Sequence, residues 1–456
     1  MRENTLILKN GIIITMDNQK RIIKGRLVII EGDTIVDIVQ SSARRYKGDK
    51  EIDCKNKIIC PGLINSHAHT VEILFRGCGD NLSFVEWVSN THHLVDRGYV
   101  REKEAYLGAL ICFSEMIKSG TTSFLDPEVS LEHFNEVAKA AEKIGIRGNL
   151  AIAMEDKMGY GIENEKDKKY AGKEELNEEA IKKIIKKWNN RKSNSIIKVW
   201  WGPRVLSTCT SRLSNKMKEL VAGMNNLGIT MHFAETKEDV LQISNEFNMS
   251  AAEYARSIQL LGPNTLLTHV IQVEDKDIQL IADSGSKIVH CPSSNMKLGS
   301  GFARIPEMLS RGITVAIGTD GAMCNNSYDM IWEMKLAALI QMGYHGNPKI
   351  ISAEEVLDMA TTQGAKALLL EKQIGSIELG KKADIIIFDT KEPGWRPFYN
   401  PVSNLVYSVN GNSVETVIIN GRIIMEKRKL NTIDEKKLLK EEQGIFRMFS
   451  DRKEFK

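Results

Sequence analysis

Five histidines and two acids in this chain could together hold a divalent cation and move protons beside it. His67 and His69 stand at i and i+2 in Pro61-Gly62-Leu63-Ile64-Asn65-Ser66-His67-Ala68-His69-Thr70, after the apolar run Lys57-Ile58-Ile59-Cys60. In an extended chain that spacing puts both imidazoles on one face. His232 and Glu235 share Ile229-Thr230-Met231-His232-Phe233-Ala234-Glu235. His269 ends Leu266-Leu267-Thr268-His269, His290 follows Ile288-Val289, and Asp320 follows Ile317-Gly318-Thr319. Imidazole plus carboxylate suits zinc, with iron or another divalent ion as the alternative. Such an ion lowers the pKa of a water toward neutrality and supplies hydroxide at pH 7. Asp320 can accept the proton released.

These residues need a frame that brings distant segments together. The middle of the chain alternates strand and helix patterns, which argues for a parallel sheet with crossover helices. A first strand is expected at 57–60. Seven more follow at 121–125, 147–153, 196–201, 229–233, 266–270, 287–291 and 314–318. Helical spacing recurs between them, for example at 102–118, 177–188, 211–224, 275–283 and 305–311. Eight strand–helix units in about 300 residues fit an α/β (β/α)₈ TIM-like barrel, whose strand C-termini meet in one site. All seven polar candidates fall at such strand ends. The Lys- and Glu-rich stretch 163–192 has mixed signs and helical apolar spacing, which predicts a solvated helix.

Both termini read as β structure. Thr5-Leu6-Ile7-Leu8 and Ile12-Ile13-Ile14-Thr15 flank Lys9-Asn10-Gly11, a hairpin signal. Arg26–Ile30 and Thr34–Ile38 repeat it around Glu31-Gly32-Asp33, and 382–389 and 414–422 are similar runs. A small discontinuous β-sandwich domain of residues 1–58 and 372–456 is expected, with the barrel of 59–371 inserted.

At 456 residues, with 42% apolar and 27% charged, the chain has the make-up of a soluble globular protein of this size. A net charge of +3 offers no reason to expect a nucleic-acid or membrane partner. The seven cysteines are odd in number and never in CxxC spacing, which reads as reduced cytoplasmic thiols. The N-terminal apolar run breaks at Lys9, so no signal peptide is expected.

The chain resembles the amidohydrolase superfamily, and within it the methylthioadenosine/S-adenosylhomocysteine deaminase and chlorohydrolase group. The resemblance rests on motifs in order along nearly the whole chain. They are Pro61-Gly-Leu-Ile-Asn-Ser-His-Ala-His69, Leu74-Phe-Arg-Gly77 with Phe84-Val-Glu-Trp87, Ser119-Gly-Thr-Thr-Ser123, and His232-Phe-Ala-Glu-Thr236. Val289-His-Cys-Pro-Ser-Ser-Asn-Met-Lys-Leu-Gly-Ser-Gly301, Gly318-Thr-Asp-Gly321 and Gly380-Lys-Lys-Ala-Asp-Ile385 complete the series. The resemblance implies one metal held by His67, His69, His232 and Asp320, with Glu235 as general acid/base. It implies that His269 orients and polarises the water and that Glu86 grips ribose hydroxyls. His290 is expected to line the pocket or orient its neighbours. The implied reaction is hydrolytic deamination of an adenosine-type nucleoside, an oxopurine or a pterin, by a chain that could form a homo-oligomer. Glu235 would protonate a ring nitrogen and later help ammonia leave.

Four alternatives are weighed against this. A binuclear centre would need a carboxylated lysine, but Lys198 is separated from its strand end by Val199, Trp200, Trp201 and Gly202. Cytidine-type zinc deaminases carry HxE with PCxxC, which is absent here. Loss of chloride or an alkylamine from a triazine ring is the runner-up reaction. A non-enzymatic barrel protein would be free to lose ligands, and none is missing. One departure bears on substrate. Adenosine-type deaminases carry Pro-His-Ala-Pro-Tyr after the fourth strand, where this chain has Pro203-Arg204-Val205-Leu206-Ser207. Arg204 is therefore expected to offer its fork of donors to an oxo group or carboxylate of the substrate.

Overall fold

The computed structural model describes residues 4–42, 46–88, 94, 95, 99–157, 177–189, 195–220 and 227–450. Eight parallel strands lie side by side in chain order. They are β1 (Leu63–Asn65), β2 (Thr121–Val129), β3 (Arg147–Met154), β4 (Ile197–Pro203), β5 (Ile229–Phe233), β6 (Thr265–His269), β7 (Lys287–His290) and β8 (Val315–Ile317). Their Val-, Ile- and Leu-rich runs suit strands covered on both faces, and every residue of β3 is buried. Ile64, Leu125, Ala151, Trp200, Leu266, Val289 and Ala316, each from a different strand, pack in one cluster with Ala365 and Leu368. The barrel interior is thus a packed core that can carry a site above it.

The first and last strands meet as well. Ser66 N donates to Ile317 O at 3.0 Å. Asn65 Oδ1 accepts from Thr319 N at 3.1 Å, and Asn65 Nδ2 donates to Thr319 Oγ1 at 2.7 Å. This contact brings the His67–His69 segment beside Asp320, although some 250 residues separate them in the chain.

Two further sheets come from the terminal segments, one of four strands and one of seven. Leu6, Leu8, Val28 and Ile30 of the first pack with Ile13, Ile59, Ile385, Ile387 and Ile418 of the second in a shared core. That is the packing of a sandwich.

Two local expectations are corrected. Thr5–Lys9 and Ile12–Ile14 do not form a hairpin, because they belong to different sheets. Asn10, at φ +66°, turns the chain from one layer to the other, so both strands aim isoleucine and leucine into the same inter-sheet core. Lys57–Pro61 is not the first barrel strand. It pairs antiparallel with Ile385–Asp389 in the outer sheet, with Ile59 opposite Ile387. The chain changes sheet at Gly62, whose absent Cβ would lie 2.0 Å from Thr122 Oγ1.

The helix expected in 163–192 is described at Glu178–Trp188, capped by Asn177 Oδ1 accepting from Ala180 N at 3.1 Å. Residues 163–176 and 190–192 of that stretch lie outside the described residues, as do 221–224 beyond Ser211–Leu220. Lys198 is an exposed residue of β4. Among the described residues no helix is long and apolar enough to cross a membrane, and all seven cysteines are unpaired.

Candidate metal centre and active site

The ring nitrogens of three histidines converge above the strand ends. His69 Nε2 and His232 Nε2 are 3.2 Å apart. Asp320 Oδ1 is 3.3 Å from His67 Nε2 and 3.3 Å from His69 Nε2. His67, His69 and His232 present ligand atoms that all lie within 4.8 Å of one another, as do His67, His269 and Asp320.

The opposite nitrogens fix which way each ring faces. His232 Nδ1 donates to the backbone carbonyl of Arg204 at 2.7 Å. A carbonyl can only accept, so His232 carries its proton on Nδ1 and turns a bare lone pair toward His69. His67 Nδ1 is 3.0 Å from Thr268 Oγ1, and His69 Nδ1 faces Glu72 Oε1 at 3.7 Å. Burial pushes His67 down to about 4. Burial holds His232 well below the ordinary imidazole value. Burial also acts to lower His69, but Glu72 and Asp320 outweigh it and raise that ring to about 10. Burial would raise Asp320, yet hydrogen bonds with His67 and His69 hold it well below the usual carboxylate range.

A divalent ion fits the same place. At a Zn–N distance of about 2.0–2.1 Å, a tetrahedral site has ligand–ligand edges of about 3.3–3.4 Å. The His69–His232 and His–Asp320 separations have that length. His67, His69, His232 and Asp320 suit zinc in type and number, and a cation removes the lone-pair conflict.

Beside this centre lie His269 and Glu235. His269 Nε2 is 3.5 Å from Glu235 Oε2 and 3.9 Å from Asp320 Oδ2. Asn295 Oδ1, 2.8 Å from His269 Nδ1, sets that ring's orientation. Ser300 Oγ donates to Glu235 Oε1 at 3.2 Å. Burial raises the Glu235 carboxyl above its ordinary value, and the Asp320 charge adds to the effect. Asp239 Oδ2 accepts from Glu235 N at 3.2 Å while Thr236 caps the helix Lys237–Phe247. Burial, then the charge of Glu235, pushes Asp239 up to about 7.

The backbone is strained at these positions. Ala234, His269, Val270 and Asp320 have φ of +47°, +72°, +50° and +65°. Left-handed non-glycine residues cost about 1–3 kcal/mol each and persist where the surroundings over-determine them. Here the barrel closure and the hydrogen bonds above do so.

A cavity opens over the centre, walled by Phe84, Trp87, Val88, Val205 and Leu298, with Glu128, Glu155, Arg204, Glu235 and Asp239 as polar lining. Apolar walls around a few convergent polar groups are those of a small-molecule site. His69, His232, His269 and Asp320 also line it.

The remaining expected residues fall differently. Arg204 lines the cavity, but its Nη2 is 2.7 Å from Glu128 Oε1 and its Nη1 3.8 Å from Glu155 Oε1. The fork expected to meet a substrate oxo group or carboxylate is thus already engaged. Glu86 is exposed and absent from the cavity lining. Its Oε2 accepts from Ser83 N at 2.9 Å and Ser83 Oγ at 2.7 Å in a capping box. Its neighbours Phe84 and Trp87 face the cavity instead. His290 is buried at the end of β7, and burial lowers it to about 3. It does not line the cavity, and neither ring nitrogen has a hydrogen-bond partner among the described residues.

Sequence reasoning missed Glu72, Thr268, Asn295, Ser300 and Asp239. Asn295 and Ser300 sit inside the quoted Val289–Gly301 motif, and Thr236-x-x-Asp239 is a visible capping pattern. Nothing in local spacing marks Thr268.

The chain is 38% identical to a 5-methylthioadenosine/S-adenosylhomocysteine deaminase of Thermoanaerobacter pseudethanolicus, over 95% of this chain and 96% of that one. It is also 38% identical to a 5'-deoxyadenosine deaminase of Methanobrevibacter smithii, over 96% and 97% of the two chains. Its fold matches a zinc-bound adenosine deaminase of Xanthomonas campestris with a TM-score of 0.88 at 23% identity, covering 97% of this chain and 98% of that one. The amidohydrolase family pattern matches residues 58–424, and with the barrel and its strand-end histidines on view the chain belongs to that family.

Proposed function

We propose that this chain is a zinc-dependent deaminase of an adenosine-type nucleoside whose 5' position carries a neutral substituent. The observation that carries the reading is the convergence of three imidazole Nε2 atoms and Asp320 beside the Glu235–His269 pair. In this reading His67, His69, His232 and Asp320 would hold one ion, which would lower the pKa of a water so that hydroxide is available at neutral pH.

The protein's own groups do the rest. Asp320 accepts the proton that water gives up. Glu235, raised by burial, keeps its proton at Oε2 longer than an exposed acid and delivers it to the ring nitrogen next to the amino-bearing carbon. That carbon becomes electrophilic, gains the oxygen, and breaks its bond to nitrogen as a second proton reaches the leaving ammonia. His269, oriented by Asn295, holds the attacking oxygen on the correct face. The apolar wall of Phe84, Trp87 and Leu298 covers the ring and excludes bulk water.

The substrate class follows from Arg204. Two carboxylates, Glu128 and Glu155, stand against its single guanidinium. Carboxylates accept hydrogen bonds from sugar hydroxyls. With its guanidinium engaged, Arg204 gives a substrate phosphate or carboxylate little to bind. Glu128 and Glu155 take the role that Glu86 was expected to fill. Methylthioadenosine and 5'-deoxyadenosine in the relatives' names have a neutral 5' end, whereas S-adenosylhomocysteine, named with the first, carries a carboxylate and an ammonium there.

An ammonia-release screen tests this over 5'-deoxyadenosine, methylthioadenosine, adenosine 5'-monophosphate, guanine, a pterin and an aminotriazine. The two neutral nucleosides should give the highest kcat/KM. A preference for the nucleotide or the free rings would overturn the substrate class, and chloride release from a chlorotriazine at a higher rate would overturn the reaction.

A further inference from the structure

The three imidazoles that converge on the centre are backed unequally. His67 is backed by a threonine hydroxyl and His232 by a backbone carbonyl, both neutral. His69 Nδ1 faces the carboxylate of Glu72, whose Oε1 lies 3.7 Å away, an ion-pair contact longer than a hydrogen bond. Glu72 lies in the short 3₁₀ turn Val71–Phe75 and is buried at 4% exposure. Buried carboxylates are costly unless they are engaged. The structure also makes room for this carboxylate at a specific place. Gly321, directly after Asp320, has no Cβ, and one built there would lie 1.8 Å from Glu72 Oε2. Any side chain at 321 would drive the acid off its seat. The segment carrying His69 and the turn carrying Asp320 are thus fitted to each other through Glu72 and Gly321.

We propose that Glu72 is the positioning residue of the metal centre: it holds His69 with its proton on Nδ1, so that Nε2 is presented to the ion, and Gly321 is kept small to seat it. This deepens the zinc-centre reading and rests on it. A carboxylate behind a ligating imidazole fixes its tautomer and raises its basicity, and removing such a partner costs about 10–100-fold in metal affinity. Glu72 is absent from the lining of the cavity above the centre and lines a small adjoining pocket with His69, Glu128 and Arg204. Its closest link to the reaction in this proposal is His69.

The test is zinc affinity, measured by competition with a chromophoric chelator, for wild type, Glu72→Gln and Gly321→Ala. Glu72→Gln keeps the shape and removes the charge. Its zinc affinity should fall about 10–100-fold, the melting temperature of its metal-free form should stay near wild type, and excess zinc should restore turnover. Gly321→Ala should lose zinc affinity as well, because the new methyl displaces the same carboxylate. A Glu72→Gln affinity within twofold of wild type would overturn the proposal. So would a loss of activity that added zinc cannot reverse. If wild type bound no zinc, the zinc-centre reading and this proposal would fall together, whereas zinc held equally by wild type and Glu72→Gln removes Glu72 alone.

Discussion

His69 Nε2 and His232 Nε2 face each other at 3.2 Å, although the Nδ1 proton of His232 is committed to the Arg204 carbonyl. Two acceptors at that separation repel unless a proton or a cation lies between them. The pair is therefore the point at which metal loading, proton uptake and ring orientation meet.

His67→Ala should abolish metal binding, because it removes one of four ligands from a buried site. Metal analysis of the purified variant should show near-total loss against about one ion per chain in wild type. Full occupancy would remove His67 from the ligand set.

Glu235→Gln should keep the metal and lose most turnover, since Glu235 lies beside the ligands and not among them. A proton-transfer residue contributes about 10²–10⁴-fold to rate. Turnover within a few-fold of wild type would exclude Glu235 from the proton path.

Arg204→His should act on stability and on all substrates together. It leaves Glu128, whose side chain is 5% exposed, without its closest cationic partner. Breaking a buried pair costs about 3–5 kcal/mol, and the partial exposure of Arg204 trims this to about 2–4 kcal/mol. A lower melting temperature and a uniform fall in kcat/KM are expected. A clean switch of preference between nucleosides and oxo- or carboxylate-bearing rings, with stability unchanged, would mean that Arg204 contacts substrate directly.

Glu333 should make folding pH-dependent on its own account. It is fully buried and accepts from Ser293 N and Asn325 Nδ2. Burial pushes it up from 4.5 to about 7. A raised folded-state pKa means that the native protein binds a proton the unfolded chain has released. The contribution is complete below about pH 4.5 and is lost as pH rises toward 7. Glu333→Gln cannot titrate, so its melting temperature should gain on wild type between pH 5 and about 7.5. Parallel curves for the two proteins would show that Glu333 does not titrate there.

The barrel and seven of its eight strands were legible in the sequence, as was the gathering of His67, His69, His232 and Asp320 at strand ends. Those depend on local patterns: apolar runs of strand length, helical spacing between them, and His or Asp at the run ends. In a parallel barrel every strand delivers its C-terminal end to the same face, so a polar residue at a run end reads directly as a site residue. Glu235 was legible for the same reason, standing three residues past His232. Tertiary packing set which groups stand behind the converging rings. Thr268 meets His67 because β6 and β1 face one another across the closed barrel, and Glu72 is seated because Gly321 approaches it from the last strand end. Arg204 turns to Glu128 and Glu155, acids from the ends of β2 and β3, and Glu86 closes a capping box on Ser83. Lys57–Pro61 reads locally as a strand, yet its sheet was settled by Ile385–Asp389, more than 300 residues later. Side-chain partners across such distances depend on closure and register, which a local pattern of apolar and polar residues does not encode.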